Sequence, residues 1–253
     1  MSNKESFGKT VTVVVGVCLF CAVIVASAAV GLRTEQKENA LLDKQTNILE
    51  AAGLLEKAQG DVKGTFDKYI ETRILDLNTN EFVEGIDVTT YDQFRAARKD
   101  GMRPQPDVAK IIRRPNKVPV YMVKNEAGQL DSVVLPVNGA GLWDMMKAFI
   151  AVEADGNTVR SMIYYDQKET PGLGAEVLNP KWKALWAGKK LFDASGAPAI
   201  KIVKGGASQG DVHGVDALSG ATLTSNGVQN TLTYWLGNEG FGPFLVKVRN
   251  GGL

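Results

Sequence analysis

Residues 118 to 137 read V-P-V-Y-M-V-K-N-E-A-G-Q-L-D-S-V-V-L-P-V: two valine-rich runs, Val118 to Val123 and Leu130 to Val137, around Asn125-Glu126-Ala127-Gly128. β-Branched and aromatic residues pack well on a pleated surface, and a short polar break containing glycine closes a hairpin. The pattern repeats at once, with Ala148 to Ala154 and Thr158 to Tyr165 flanking Asp155-Gly156-Asn157. Ala199 to Val203 alternates as a further strand. Lys181 to Ala187 reads as a short helix carrying Trp182 and Trp186, and Thr222 to Leu236 as the closing helix. The expected fold class is α+β, an antiparallel sheet of hairpins with flanking helices.

Upstream of the sheet the chain changes character. Val11 to Leu32 carries no charge, and a run of about 20 apolar residues matches the bilayer core. A cleaved signal peptide competes, because Ala26-Ser27-Ala28 resembles a cleavage site behind Lys4 and Lys9. The run exceeds the typical h-region of about 7 to 15 residues, which favours a retained single-pass transmembrane helix over 11–32. The flanking charges, Lys4 and Lys9 before it and Arg33, Lys37 and Lys44 after it, leave the orientation nearly undecided. Cys18 and Cys21 both fall inside this run, where small apolar packing is the better reading of C-x-x-C, and no cysteine remains elsewhere for a disulfide.

Arg33 to Lys57 continues with Leu41, Leu42, Ile48, Leu49, Ala52 and Leu55 at helical spacing, a stalk expected to dock on the domain. The rest of 33–117 reads as scaffold: helical pieces at Val62 to Tyr69 and Tyr91 to Lys99, a strand at Arg73 to Leu77, and a loop around Pro104 and Pro106. This division leaves 1–10 before the membrane and 118–253 as the ligand-binding domain. With 253 residues, 44% hydrophobic and a net charge of +1, the chain has no basic face or Lys/Arg run, which sets nucleic acid aside. A single histidine, His213, and no cysteine outside the apolar run argue against a transition-metal or zinc site. No nucleophile elbow accompanies His213, Asp216 and Ser219, so no catalytic residue is assigned.

Three glycine-rich stretches interrupt the strands: Asn138-Gly139-Ala140-Gly141-Leu142-Trp143, Glu169-Thr170-Pro171-Gly172-Leu173-Gly174-Ala175-Glu176, and Asp216 to Thr222. Glycines let backbone amides approach a ligand, and Trp143 and Leu173 offer apolar surface for a flat ring. Each stretch taken alone reads better as a turn connection, and none has a dinucleotide or P-loop spacing. Beyond the third, Leu223, Val228, Leu232, Trp235 and Leu236 share one helical face. Ser219, Thr222, Thr224 and Ser225 are all capping types, so a phosphate there would meet free N–H groups and the positive end of the dipole. Spacing does not single out one hydroxyl.

Asp216 to Thr222, D-A-L-S-G-A-T, resembles the acceptor motif of covalent flavoproteins, in which a flavin transferase cleaves FAD and esterifies FMN to the last threonine, here Thr222. Together with N-G-A-G-L-W, E-T-P-G-L-G-A-E, I-K-I-V-K-G-G and S-G-A-T-L-T-S-N-G-V-Q-N, the whole chain resembles the NqrC family, the C subunits of the Na+-translocating NADH:quinone reductases. The G subunit of the Rnf electron-transport complex shares the acceptor motif and the E-T-P-G-L-G-like loop and matches less well elsewhere. Ala217 departs from the glycine that often follows the motif aspartate. The resemblance implies an electron-transfer subunit with FMN bound through a phosphoester on Thr222, and with contacts from Ser219, Gly220, Ala221, Thr224, Leu142, Trp143, Glu169, Thr170, Gly172, Leu173 and Gly174. It also implies a flavin transferase for maturation and a six-subunit inner-membrane complex that oxidises NADH, reduces ubiquinone and exports Na+. The soluble domain would then lie in the periplasm. A membrane-anchored assembly or sensor domain without redox activity is the alternative.

Overall fold

The computed structural model describes residues 6–252; Lys4 lies outside them. The chain divides between Lys44 and Gln45 into two compact units. In the first, helix α1 (Phe7–Gly31) is exposed throughout, reaches a mean hydropathy of 2.9 over 18 residues, and is long and apolar enough to cross a membrane. At about 1.5 Å per residue its 25 residues exceed the roughly 30 Å hydrocarbon core. The helix begins before the apolar run and takes in Lys9, since a helix need not stop where hydrophobicity does. Helix α2 is Arg33–Ala51. The apolar stripe expected there divides: Leu41 and Leu42 are exposed, whereas Ile48, Leu49 and Ala52, in the second unit, are buried.

In the second unit come α3 (Leu55–Ala58) and α4 (Val62–Tyr69), whose N-cap Asp61 accepts the Gly64 N–H at 2.8 Å. A hairpin of β1 (Ile70–Asp76) and β2 (Glu81–Val83) follows, then α5 (Gln93–Asp100), capped by Asp92. Four long strands make the meander anticipated above: β3 (Lys117–Lys124), β4 (Leu130–Ala140), β5 (Met145–Glu153) and β6 (Val159–Asp166). The six form one antiparallel sheet in the order β2-β1-β3-β4-β5-β6. Thr72 pairs with Tyr121, Tyr121 with Val134, and Val134 with Ala151.

That pairing changes the domain division. Residues 70–83 belong to the sheet, so the stretch read as separate scaffold shares the domain's core, and the boundary expected at Val118 falls inside β3. The cause is burial on both faces. Val120, Met122, Val133, Leu135, Ile150 and Val152 point into one apolar cluster, and Tyr121, Val123, Val134, Phe149, Ala151 and Ile163 into a second, filled by the end of α2 with α3 and α4. Strands covered on both sides lose the in–out alternation that marks a half-exposed sheet.

The first cluster is closed by a 3₁₀ turn (Gly174–Leu178), α6 (Pro180–Ala184), a parallel pair β7 (Lys201–Val203) and β8 (Gly214–Asp216), α7 (Thr222–Trp235) and α8 (Gly242–Arg249). Three expectations are corrected here. The short helix ends at Ala184, before Trp186; β7 has a parallel partner; and α8 follows the helix read as the closing one, burying Phe244, Leu245 and Val248.

Candidate functional site

The acceptor-like motif is pinned at both ends. Trp182 Nε1 donates to the Asp216 carbonyl at 2.9 Å, Asp216 Oδ1 accepts the Ala207 N–H at 2.7 Å, and Ser225 Oγ accepts the Leu218 N–H at 3.0 Å. Between these anchors Gly220 takes a φ of +71°, a left-handed conformation that a Cβ would strain, and turns the chain into α7 at Ala221. No side chain caps the helix, although Ser219, Thr222, Thr224 and Ser225 are all of capping type. Thr224 and Ser225 are 1% and 4% exposed and commit their hydroxyls inward, whereas Thr222 stands exposed beside the uncapped first turn. Among the described residues its hydroxyl has no hydrogen-bond partner.

Glu169, in the second glycine-rich stretch, ties the first to the start of α7. It is 5% exposed, accepts the Leu142 and Trp143 N–H groups, each at 3.0 Å on Oε1, and accepts the Thr224 hydroxyl on Oε2. Gly174 permits this approach, since a Cβ there would sit 2.6 Å from Thr224 Oγ1 and 2.7 Å from Glu169 Oε2. The first stretch is half strand: Asn138 to Ala140 continue β4, and the turn proper begins at Gly141, whose N–H reaches the Asp144 carbonyl at 2.9 Å. Trp143 Nε1 donates to Thr170 Oγ1 at 3.1 Å and leaves its ring 69% exposed.

Two clefts meet at Thr222. One, of about 210 Å³, brings together nine residues singled out in the sequence: Leu142, Glu169, Thr170, Leu173, Gly174, Gly220, Ala221, Thr222 and Thr224. Trp143 reaches it through Thr170 at the rim, Ser219 lines the other cleft, and Gly172 lines neither, serving the turn with a φ of +76°. Leu223, read as a core residue of α7, is 60% exposed and forms a wall of the first cleft. The register of the first turn points Leu223 outward and Thr224 inward. The second cleft, of about 580 Å³, is lined by Lys204, Gly205, Gly206, Asp216, Ser219 and Asn226 among others. Lys204 was not among the residues the sequence marked; its signal was the I-K-I-V-K-G-G stretch. Exposed Leu142, Leu173 and Leu223 around an uncapped helix start suit a planar apolar ring joined to a phosphate. His213 is engaged elsewhere, with Nδ1 2.8 Å from the Lys190 carbonyl.

Residues 141–237 match the FMN-binding domain family. Over the whole chain, the protein is 56% identical to the Na(+)-translocating NADH-quinone reductase C subunit of Vibrio anguillarum across 256 residues, covering 100% of this chain and 99% of the relative. The chain belongs to the family of C subunits of the Na(+)-translocating NADH-quinone reductases. The family member of Yersinia pestis is 53% identical, covering 99% of this chain and 96% of its own. Among solved structures, Shewanella oneidensis NqrC superposes with a TM-score of 0.79 at 37% identity, covering 86% of this chain and 99% of that one. The C subunit of the Parabacteroides distasonis reductase gives 0.67 at 31% identity, covering 85% of this chain and 96% of that one. Family membership makes the chain one subunit of an oxidoreductase complex with the other subunits as partners, and its FMN-binding domain supports an electron-transfer role.

Proposed function

We propose that this chain carries FMN as a phosphoester on Thr222 and relays single electrons in a six-subunit inner-membrane assembly that oxidises NADH, reduces ubiquinone and exports Na+. α1 is its anchor, and the domain that follows lies in the periplasm, an arrangement that Lys4 and Lys9 on the cytoplasmic side permit. The observation that carries the attachment is the contrast among hydroxyls of the helix itself: Thr222 is exposed in the uncapped first turn, while Thr224 and Ser225 are buried and hydrogen-bonded; Ser219, also exposed, lies in the loop before the helix.

A threonine hydroxyl is a weak nucleophile, so the bond is made by a separate flavin transferase with its own metal ion. Thr222 Oγ1 bonds to the FMN phosphorus, the FAD pyrophosphate bond breaks, and the hydroxyl proton leaves with AMP. The N–H groups of the first turn of α7 hold the phosphodiester charge, contributing roughly 0.3–1 kcal/mol through the helix dipole, and Lys204 supplies a counter-charge from the second cleft. Leu142, Leu173 and Leu223 would offer apolar surface to the ring, with Trp143 at the rim. FMN, when bound, supplies the one-electron chemistry; the protein sets its position and electrostatics. Ion conduction is assigned to other subunits, since Val11 to Leu32 has no carboxylate to line a cation path.

The test is co-expression with a flavin transferase and a denaturing gel under ultraviolet light. The chain fluoresces and the Thr222→Ala variant does not. A dark wild-type band, or fluorescence that survives in the variant, refutes the attachment.

A further inference from the structure

Glu169 is a buried carboxyl group whose hydrogen-bond partners carry no charge. Its three partners, the Leu142 and Trp143 amides and the Thr224 hydroxyl, are all neutral donors. Among the described residues no Lys, Arg or His lies within ion-pair distance of it. Oε1 accepts two backbone N–H groups, an arrangement that suits a carboxylate. The side chain nevertheless lines the cleft next to Thr222.

We propose that Glu169 is a positioning residue that locks the first glycine-rich stretch to the start of α7, and that its fixed negative charge lowers the reduction potential of the flavin in that cleft. The inference rests on the reading that FMN occupies Thr222. Each electron arriving from a neighbouring carrier of the complex makes the flavin more negative. A carboxylate that is itself buried opposes that change more strongly than one in bulk solvent, because the effective dielectric is lower and salt screens it less. The lock and the charge are separable. Glutamine has the same shape: its oxygen can accept the two amides, while its NH₂ group donates to a turned Thr224 hydroxyl, so the loops stay tied and only the charge is lost. Aspartate keeps the charge and is one methylene too short for both partners.

The experiment is a spectroscopic redox titration of the flavin-loaded full chain, with the same preparations run on a denaturing gel. Glu169→Gln keeps its fluorescent band and its flavin midpoint potential moves to a more positive value. Glu169→Asp also keeps the band, melts at lower temperature, and shows a smaller positive shift or none. An unmoved potential in Glu169→Gln, or an equal shift in both variants, overturns the inference and reduces Glu169 to a structural tie. A wild-type band without fluorescence would instead refute the FMN attachment, so the two failures are told apart.

Discussion

Thr224 donates its hydroxyl hydrogen to the carboxylate of Glu169, 55 residues earlier in the chain. This contact joins the first turn of α7 to the E-T-P-G-L-G loop and removes Thr224 from the pool of accessible hydroxyls. It therefore does two things at once. It shapes the cleft, and it leaves Thr222 as the exposed hydroxyl of the first turn.

Thr224→Val preserves the shape of the side chain and strands a buried carboxylate oxygen, with an expected loss of about 1–3 kcal/mol in folding stability. Ser225→Ala leaves the Leu218 N–H without its acceptor and costs about 1 kcal/mol. Both variants keep flavin fluorescence on a denaturing gel after co-expression with a transferase, while their denaturant midpoints fall. Loss of the covalent flavin in either would mean that these hydroxyls take part in the attachment itself.

Lys204 is exposed on the second cleft beside Thr222. If it neutralises the phosphodiester, Lys204→Ala keeps the flavin and reduces the extra stability that flavin attachment brings, by up to about 1 kcal/mol, as for an exposed ion pair. The measurement is the difference in melting temperature between loaded and Thr222→Ala forms, with and without the lysine. High salt should erase the effect.

In the β5–β6 turn, burial works to raise the Asp155 pKa, yet hydrogen bonds from Thr158, Asn157 and Lys190 outweigh it and hold the group at about 2. The folded value lies below the ordinary carboxylate value near 3.9, so the stabilisation is fully present above about pH 4 and disappears as pH falls through about 2. The side chain is half exposed, which limits the effect, and Asp155→Asn should cost about 1 kcal/mol at neutral pH. Urea titrations of both chains between pH 7 and 2 should show the difference shrinking only at the acid end.

Trp235, fully buried at the end of α7, donates Nε1 to the Asn138 carbonyl at 2.8 Å and stacks on Phe241 with ring centres 5.2 Å apart. Trp235→Phe loses the hydrogen bond and about 0.5–1.5 kcal/mol; Trp235→Ala opens a cavity and loses about 3–5 kcal/mol. Equal losses in the two would show that packing here contributes little.

The four-strand meander was legible because Val118 to Val137 and Ala148 to Tyr165 combine β-forming residues with turn chemistry, and both are local. The β1–β2 hairpin and its place in the same sheet were not, since nothing near Ile70 says that it pairs with Val123. Helix α8 was missed as well: Gly242-Pro243 looks like a breaker until Pro243 is seen in the first turn, where its missing N–H costs nothing. In the candidate site, glycine and apolar side chains marked the loops. The register that put Leu223 outside and Thr224 inside had no local signature.

Residue order alone determined the apolar helix near the N-terminus, the hairpins and the acceptor-like motif, because each rests on hydrophobic length, β-branching or spacing within a few residues. Tertiary structure decided which hydroxyls at the start of α7 are free. Glu169 and Leu218 engage Thr224 and Ser225 only after the 3₁₀ turn and α7 have packed over the sheet. Burial and hydrogen bonding between distant segments are properties of the folded chain, and they leave Thr222 exposed.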